Sequence, residues 1–98
     1  MRLRGIEFPQ DLIASFCRRH AIKRLGLFGS ILRDDFGPES DIDVLVELDE
    51  RRPMGIFEYA RLKLYIEGLF DGAADVVNRR TLKPLLQASI LRDSVHAF

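Results

Sequence analysis

The stretch DIDVLVEL, residues 41–48, is the clearest strand in the sequence. Its apolar run from Val44 to Val46 is nearly continuous, which indicates a strand that is covered on both faces. Asp41 and Asp43 stand at the start of the strand, and they project to the same side because side chains alternate along a strand. The stretch therefore predicts a buried central strand with two negative charges at one end.

The segments around this strand alternate between helical and extended patterns. Helices are predicted over residues 11–21, 30–35, 54–70 and 81–91, and further strands over 24–28 and 73–77. Such alternation is typical of an α/β (α+β) fold, here a small mixed sheet of three to four strands with flanking helices. A chain of 98 residues is long enough for one domain and too short for two, so we expect a single domain over residues 1–98.

The spacing of apolar residues predicts which face of each helix is buried. Ser30 is predicted to cap the short second helix, and Thr81 to cap the last helix, with Pro84 in its first turn. The predicted inner faces are Leu12, Ile13, Phe16 and Cys17 in the first helix, Phe57, Ala60, Leu64, Ile66 and Leu69 in the third, and Leu82, Leu85, Leu86, Ile90 and Leu91 in the last.

Composition excludes several function classes. The formal net charge is zero and the pI is about 6.7, which argues against broad electrostatic binding to DNA or RNA. No apolar run approaches the length of a membrane span or of the core of a signal peptide. Cys17 is the single cysteine, so no intramolecular disulfide can form, and a cytoplasmic location is expected. A local site for a small anionic ligand remains compatible with this charge balance.

Two features near the central strand carry chemistry. Like charges on Asp41 and Asp43 repel, so a cation is expected between them, and oxygen ligands without nearby Cys or His favour Mg²⁺ or Mn²⁺. Gly29 permits a tight turn, and the Ser30 hydroxyl and following N–H groups suit phosphate oxygens. Taken separately, the Gly-Ser pair fits a capped turn, and the aspartates fit a solvated strand end. Taken together, they predict a ligand with a phosphate and a bridging divalent metal.

The block GSILRDDFGPESDIDVLVEL resembles the signature of the polymerase-β-type nucleotidyltransferases. It is most similar to the minimal branch of that superfamily, called MNT, whose MntA-like members act as antitoxins beside HEPN-domain toxins. Two further blocks, LYIEGLFDGAADVV and LKPLLQASILRDSVHAF, resemble the helix with the third-carboxylate strand and the closing helix of the family. The resemblance thus extends over nearly the whole chain and implies a polymerase-β-like fold.

The resemblance implies a role for each matching residue. Asp41, Asp43 and Asp75 would be catalytic and would hold two Mg²⁺ ions, or Mn²⁺ in their place, and Asp75 could accept the proton of the attacking hydroxyl. The nucleotide, which is the substrate ATP, would be bound by Gly29, Ser30, Arg33, Asp41 and Asp43.

The activity implied is transfer of AMP from ATP to a hydroxyl, that of a tyrosine, on a cognate HEPN toxin, as in a type VII-like antitoxin. The chain ends soon after the third carboxylate, so we expect the acceptor to come from a second macromolecule and to form a hetero-oligomer with the chain. Two alternatives stay open: an antitoxin that neutralises the toxin by binding alone, and transfer to a small molecule. Neither the preferred base nor the number of AMP units added is visible in the sequence.

Overall fold

A computed structural model describes residues 2–3, 6–33, 36–37, 40–70 and 74–98. In chain order the elements comprise six strands, three α-helices and two short 3-10 turns. The strands are β1 Arg2–Leu3, β2 Ile6–Glu7, β3 Ile22–Phe28, β4 Ile42–Leu48, β5 Ala74–Asn78 and β6 Val95–His96. The helices are α1 Gln10–Arg19, α2 Ile56–Leu69 and α3 Pro84–Asp93, and the 3-10 turns are Gly29–Leu32 and Arg79–Thr81.

The main sheet has four strands in the order β5-β4-β3-β6, and it is mixed as the sequence predicts. β4 is central and pairs antiparallel with β3 and parallel with β5. The parallel pair is joined by α2, since parallel neighbours need a crossover connection. β6 closes the other edge by pairing with β3, and β1 and β2 form a separate two-stranded ribbon.

The hydrophobic core lies between α1, α2 and one face of this sheet. Inward-facing side chains of β3 and β4 interleave there, and the register places Leu25 opposite Val46 and Leu27 opposite Val44. The helices add Cys17 from α1, which is fully buried as predicted, and other apolar side chains. The fully buried residues in this core include Ile13, Ile66, Val44, Val46, Leu25 and Leu27.

The opposite face of the sheet carries the side chains that alternate with the core residues. Asp43, Leu45 and Glu47 of β4 lie on this side, because they alternate with the buried Val44 and Val46. The end of α3 approaches this face, where a Cβ added to Gly26 would lie 3.5 Å from the Ser94 side chain. On this face of β4, Asp43 is therefore a polar position, whereas the next position, Leu45, is buried.

The predicted inner faces of α2 and α3 are partly wrong. Phe57 and Leu64 of α2 are 83% and 66% exposed, and Ala60 is exposed as well, whereas Leu62 and Ile66 face the core. This helix carries apolar residues on two opposite faces, so spacing alone could not select the buried one. In α3 no residue is buried, and Leu85 and Leu86 are exposed. In α1 the exposed residue Leu12 is the exception to the predicted face.

Both predicted helix caps are also wrong. The turn after β3 begins at Gly29 and ends at Leu32, so Ser30 lies inside it, and Asp34 and Asp35 of the predicted helix lie outside the described residues. Thr81 belongs to a 3-10 turn, and Lys83 precedes α3, which starts with Pro84 as expected. No helix in the described ranges is long and apolar enough to cross a membrane.

Candidate active site

Asp43 and Asp75 are brought together by strand pairing. β4 and β5 run parallel in a register that sets Asp43 opposite Asp75 and Val44 opposite Val76. Side chains at paired positions point to the same face of a sheet, so both carboxylates lie on the face away from the main core. Asp41 precedes β4 by one residue and is exposed. The three predicted carboxylates thus share one end of the sheet.

Gly29 follows β3 at the same end of the sheet, and its backbone lies against the Asp43 side chain. Its φ is +74°, a conformation that side-chain-bearing residues adopt at a cost. A Cβ added to Gly29 would collide with the Asp43 carboxylate and come within 3.0 Å of its carboxyl carbon. Backbone conformation and close approach both require glycine here. The tight turn is the one that the sequence predicted, whereas the close approach is to Asp43.

Ser30 ties the turn to the strand that bears the aspartates. Its backbone N–H donates a hydrogen bond to the Asp43 carboxylate, and its hydroxyl donates to the carbonyl oxygen of Asp41 at 3.3 Å. The expected helix N-terminus is a 3-10 turn of four residues, too short to supply a substantial helix dipole. In this conformation the Ser30 N–H donates to Asp43 and so orients that carboxylate. The same N–H does not point outward, where it could donate to a phosphate oxygen.

The charge of Asp43 is disfavoured by its surroundings. Burial raises the pKa of this carboxyl most, and the negative charge of Asp75 and then that of Asp41 raise the pKa further. The Ser30 N–H and the guanidinium of Arg33 act in the opposite direction and lower the pKa. Arg33 lies just after the turn, with its N–H bonded to the Ser30 carbonyl at 2.9 Å. All the predicted site residues therefore lie at one end of the sheet.

These residues fit a divalent metal by the chemistry of their donors. Carboxylate oxygens are the ligands that Mg²⁺ and Mn²⁺ prefer, and a cation would relieve the repulsion that raises the pKa of Asp43. Among the described residues, no three acidic, histidine or cysteine side chains are gathered closely enough to hold an ion. Asp41 and Asp75 are exposed, so their side chains can turn toward an ion without moving the core.

Glu47 and Arg79 support this arrangement, and the sequence analysis missed them. Arg79 Nη1 lies 2.7 Å from Glu47 Oε1, which links the end of β5 to β4. Lys23 and Arg24 approach the same carboxylate at 3.9 Å. A slip of β5 by one residue would turn Asp75 to the other face, so this bridge helps to keep the register. The sequence offered one sign of this bridge: Glu47 is a charged residue in a largely apolar strand, four residues after Asp43 and on the same face.

Comparison with known proteins shows what this chain is similar to. The family model described as the nucleotidyltransferase domain matches residues 10–96. The chain is 30% identical over 78 residues to the protein adenylyltransferase MntA of Thermococcus cleftensis, covering 80% of this chain and 77% of that protein. A solved structure of a candidate minimal nucleotidyltransferase superimposes with a TM-score of 0.72 and 37% identity, covering 88% of this chain and 86% of the other.

A more distant solved structure shares the fold. It is described as the tri-AMPylated HEPN toxin of Shewanella oneidensis in complex with its MNT antitoxin, and it matches with a TM-score of 0.62 at 18% identity. The match covers 91% of this chain and 68% of that one. At this identity the likeness concerns the architecture alone, and it confirms the predicted α/β fold with a small mixed sheet.

Proposed function

Because the chain belongs to the nucleotidyltransferase domain family, we propose that it transfers AMP from ATP to a hydroxyl group of a partner protein. The partner is a HEPN-domain toxin, the acceptor is a tyrosine, and the modification neutralises the toxin. The relative MntA of Thermococcus cleftensis is named a protein adenylyltransferase, which supports AMP as the transferred group. The antitoxin role is supported by the fold shared with an MNT antitoxin bound to an AMPylated toxin.

One observation carries the proposal. Asp43 lies opposite Asp75 in parallel strands and directly against the Gly29 turn, with Asp41 close enough to raise its pKa. A structural role alone gives little reason to place three carboxylates at one sheet end, since like charges destabilise the fold. The arrangement suits an anionic substrate that arrives with divalent cations.

In this proposal Asp41, Asp43 and Asp75 would hold two Mg²⁺ ions, which would neutralise the triphosphate and polarise the reacting phosphate. Asp41 and Asp43 orient the nucleotide, while Ser30 keeps the Asp43 carboxylate in place through its N–H. Asp75 accepts the proton of the attacking hydroxyl at a carboxylate oxygen. Arg33 lies beside the same aspartates, where its guanidinium suits a phosphate oxygen of the substrate.

The acceptor reacts at the α-phosphorus of ATP. The hydroxyl oxygen forms a new bond to that phosphorus, the bond to the β-phosphate oxygen breaks, and pyrophosphate leaves with the electron pair. Most of the rate enhancement in such a transfer comes from positioning and from neutralised charge. Asp43, held against the Gly29 turn, would supply positioning, and cations held by the three carboxylates would supply the neutralised charge.

The test is the intact mass of the partner. The chain is incubated with ATP, Mg²⁺ and the product of the gene beside its own as the candidate HEPN partner, and that protein should gain whole AMP increments. The Asp43→Asn variant should slow this gain by roughly a hundredfold or more. Glu50→Gln is the control, because Glu50 is an exposed carboxylate in the loop that follows β4, at the other end of the sheet. No gain of mass with the unmodified chain would contradict the proposal.

A non-catalytic antitoxin is the second candidate, and the exposed apolar side chains favour it. Ile56, Phe57 and Leu85 are each more than three-quarters exposed, as is typical of surfaces that contact another protein. The two functions separate in cells that produce the toxin. A catalytic antitoxin loses protection with Asp43→Asn, whereas one that acts by covering the toxin keeps it.

A further inference from the structure

A second concave surface lies at the end of the sheet opposite the three aspartates. It is a hollow of about 390 Å³ between the end of α1, the loop after β4 and the side of α2. Ala21, which forms part of it, directly precedes β3, and Gly29 directly follows that strand. Seven residues of extended chain span roughly 23 Å, so this hollow is separate from the candidate active site.

The hollow is cationic although the protein as a whole is neutral. Arg19, Arg52 and Arg61 line it, against one carboxylate, that of Glu58. Within the described residues none of these three arginines forms an ion pair with an acidic side chain. The Arg52 guanidinium donates to the carbonyl oxygen of Arg18 at 3.5 Å, and its charge helps to lower the pKa of Asp49. Three exposed guanidinium groups around one hollow form a suitable site for a phosphate, which arginine binds in a bidentate manner.

Aromatic rings stand beside these arginines. The Tyr65 ring is about half exposed and lies 5.6 Å from the ring of His20, which in turn lies 4.5 Å from Phe16. Burial and the charge of Arg19 lower the pKa of His20, so this ring is neutral near neutral pH. A half-exposed tyrosine ring at the side of the hollow offers a flat face for a base, since every nucleobase can stack on an aromatic side chain.

We propose that this hollow binds a nucleotide, with its phosphates on Arg19, Arg52 and Arg61 and its base on Tyr65. The volume lies in the range typical of small-molecule sites. The formal net charge of zero does not favour broad electrostatic binding of a long nucleic acid strand, so a single nucleotide is the better fit. The proposal is independent of the function of the aspartates, because it involves none of them.

Calorimetric titration with ADP in the presence of EDTA tests the site. Chelation removes the divalent ions that the aspartates need, so binding through the arginines should persist. The double variant Arg19→Gln with Arg61→Gln should weaken ADP binding roughly tenfold or more. Arg92→Gln is the matched control, because Arg92 is an exposed arginine on α3 outside the hollow, and it should change nothing.

Two further variants separate charge from stacking. Glu58→Gln removes the opposing carboxylate and should tighten ADP binding by roughly two- to fivefold. Tyr65→Leu should weaken ADP about fivefold or more while leaving pyrophosphate binding unchanged, because pyrophosphate has no base to stack. Equal losses for both ligands would overturn the assignment of the base to Tyr65.

Other outcomes assign or exclude the source of the ligand. A 5′-phosphorylated oligoadenylate that binds through the same arginines more tightly than ADP would support the site and identify an RNA end as its ligand. An acidic peptide that binds where ADP does not would overturn the proposal in favour of a protein-docking surface. Binding of ADP that is lost in Asp43→Asn and kept in the double arginine variant would overturn it in favour of the aspartates.

Discussion

Asp43 and Asp75 lie directly opposite each other in adjacent parallel strands, and the charge of Asp75 raises the pKa of Asp43. Replacing Asp75 by Asn should therefore lower the pKa of Asp43 toward its ordinary value of 3.8. Carbon-detected NMR titration of the carboxyl groups in EDTA measures this shift. Glu50→Gln, in the loop that follows β4 at the other end of the sheet, should leave the titration of Asp43 unchanged. An unchanged pKa in Asp75→Asn would mean that the two carboxylates do not face each other.

The raised pKa of Asp43 has a consequence for stability. The native state binds this proton more tightly than the unfolded chain, so the contribution of the carboxyl to stability falls as the pH rises from 3.8 through its raised pKa. In EDTA near neutral pH, Asp43→Asn should raise the free energy of unfolding by up to about 1 kcal/mol.

Urea denaturation of both proteins at about pH 4 and about pH 7 checks this effect. The advantage of the variant should be larger at the higher pH, where the carboxylate of the parent chain is charged. An advantage that shrinks as the pH rises would contradict the electrostatic account.

Gly29→Ala should damage both the fold and the site. The positive φ of this residue and the collision of the new methyl group with the Asp43 carboxylate should cost about 1–2 kcal/mol of stability or more. Nucleotide transfer should fall as well, because Asp43 must move. Gly68→Ala is the matched control: beyond its own helix backbone and chain neighbours, no atom of the described residues lies within 4 Å of its added Cβ, and the helical position should gain about 0.5–1 kcal/mol. Thermal denaturation and the transfer assay measure both variants.

The buried face of α2 can be tested by two alanine substitutions. Ile66→Ala removes a fully buried side chain and should lower the free energy of unfolding by about 2–5 kcal/mol. Leu64→Ala, two residues earlier on the same helix, removes a side chain that is 66% exposed and should change stability by less than about 0.5 kcal/mol. Equal losses in urea denaturation would show that the helix is rotated from the orientation described.

Cys17 should be chemically silent in the native protein. Burial raises the pKa of its thiol to about 11, so the reactive thiolate is scarce at neutral pH. The side chain is also fully enclosed. A thiol-reactive dye should label the chain only after denaturant is added, and rapid labelling of the native protein would contradict this packing.

The sequence predicted the centre of the fold better than its helical faces. β4 was predictable because its apolar run is stable only where both faces of the strand are covered. The proximity of Gly29 and Asp43 was predictable from the spacing of the motif. The face of α2 was not predictable because Phe57 and Leu64 form an apolar stripe opposite the buried Leu62 and Ile66. The spacing of apolar residues identifies such a helix, but it does not determine which of the two stripes packs against the sheet.

The short elements escaped prediction for a different reason. β6 covers two residues, and tertiary contact makes it a strand: its pairing with β3 is continued by Ala97, whose N–H bonds the Leu25 carbonyl at 2.8 Å. The apolar residues near Ala97 thus complete the sheet and the core. Ser30 was predicted as a cap from its residue type, whereas its contacts with Asp41 and Asp43 depend on the folding of β4 beside it.

The central claim is that Asp41, Asp43 and Asp75 hold a metal-bound nucleotide beside the Gly29 turn. The most direct measurement is the anomalous scattering of Mn²⁺ in a crystal grown with a non-hydrolysable ATP analogue. The account predicts metal peaks at about 2.1 Å from oxygens of these three aspartates, with the triphosphate against residues 29–33. An analogue and metal bound elsewhere, or density that leaves Asp75 facing away from the other two aspartates, would contradict it.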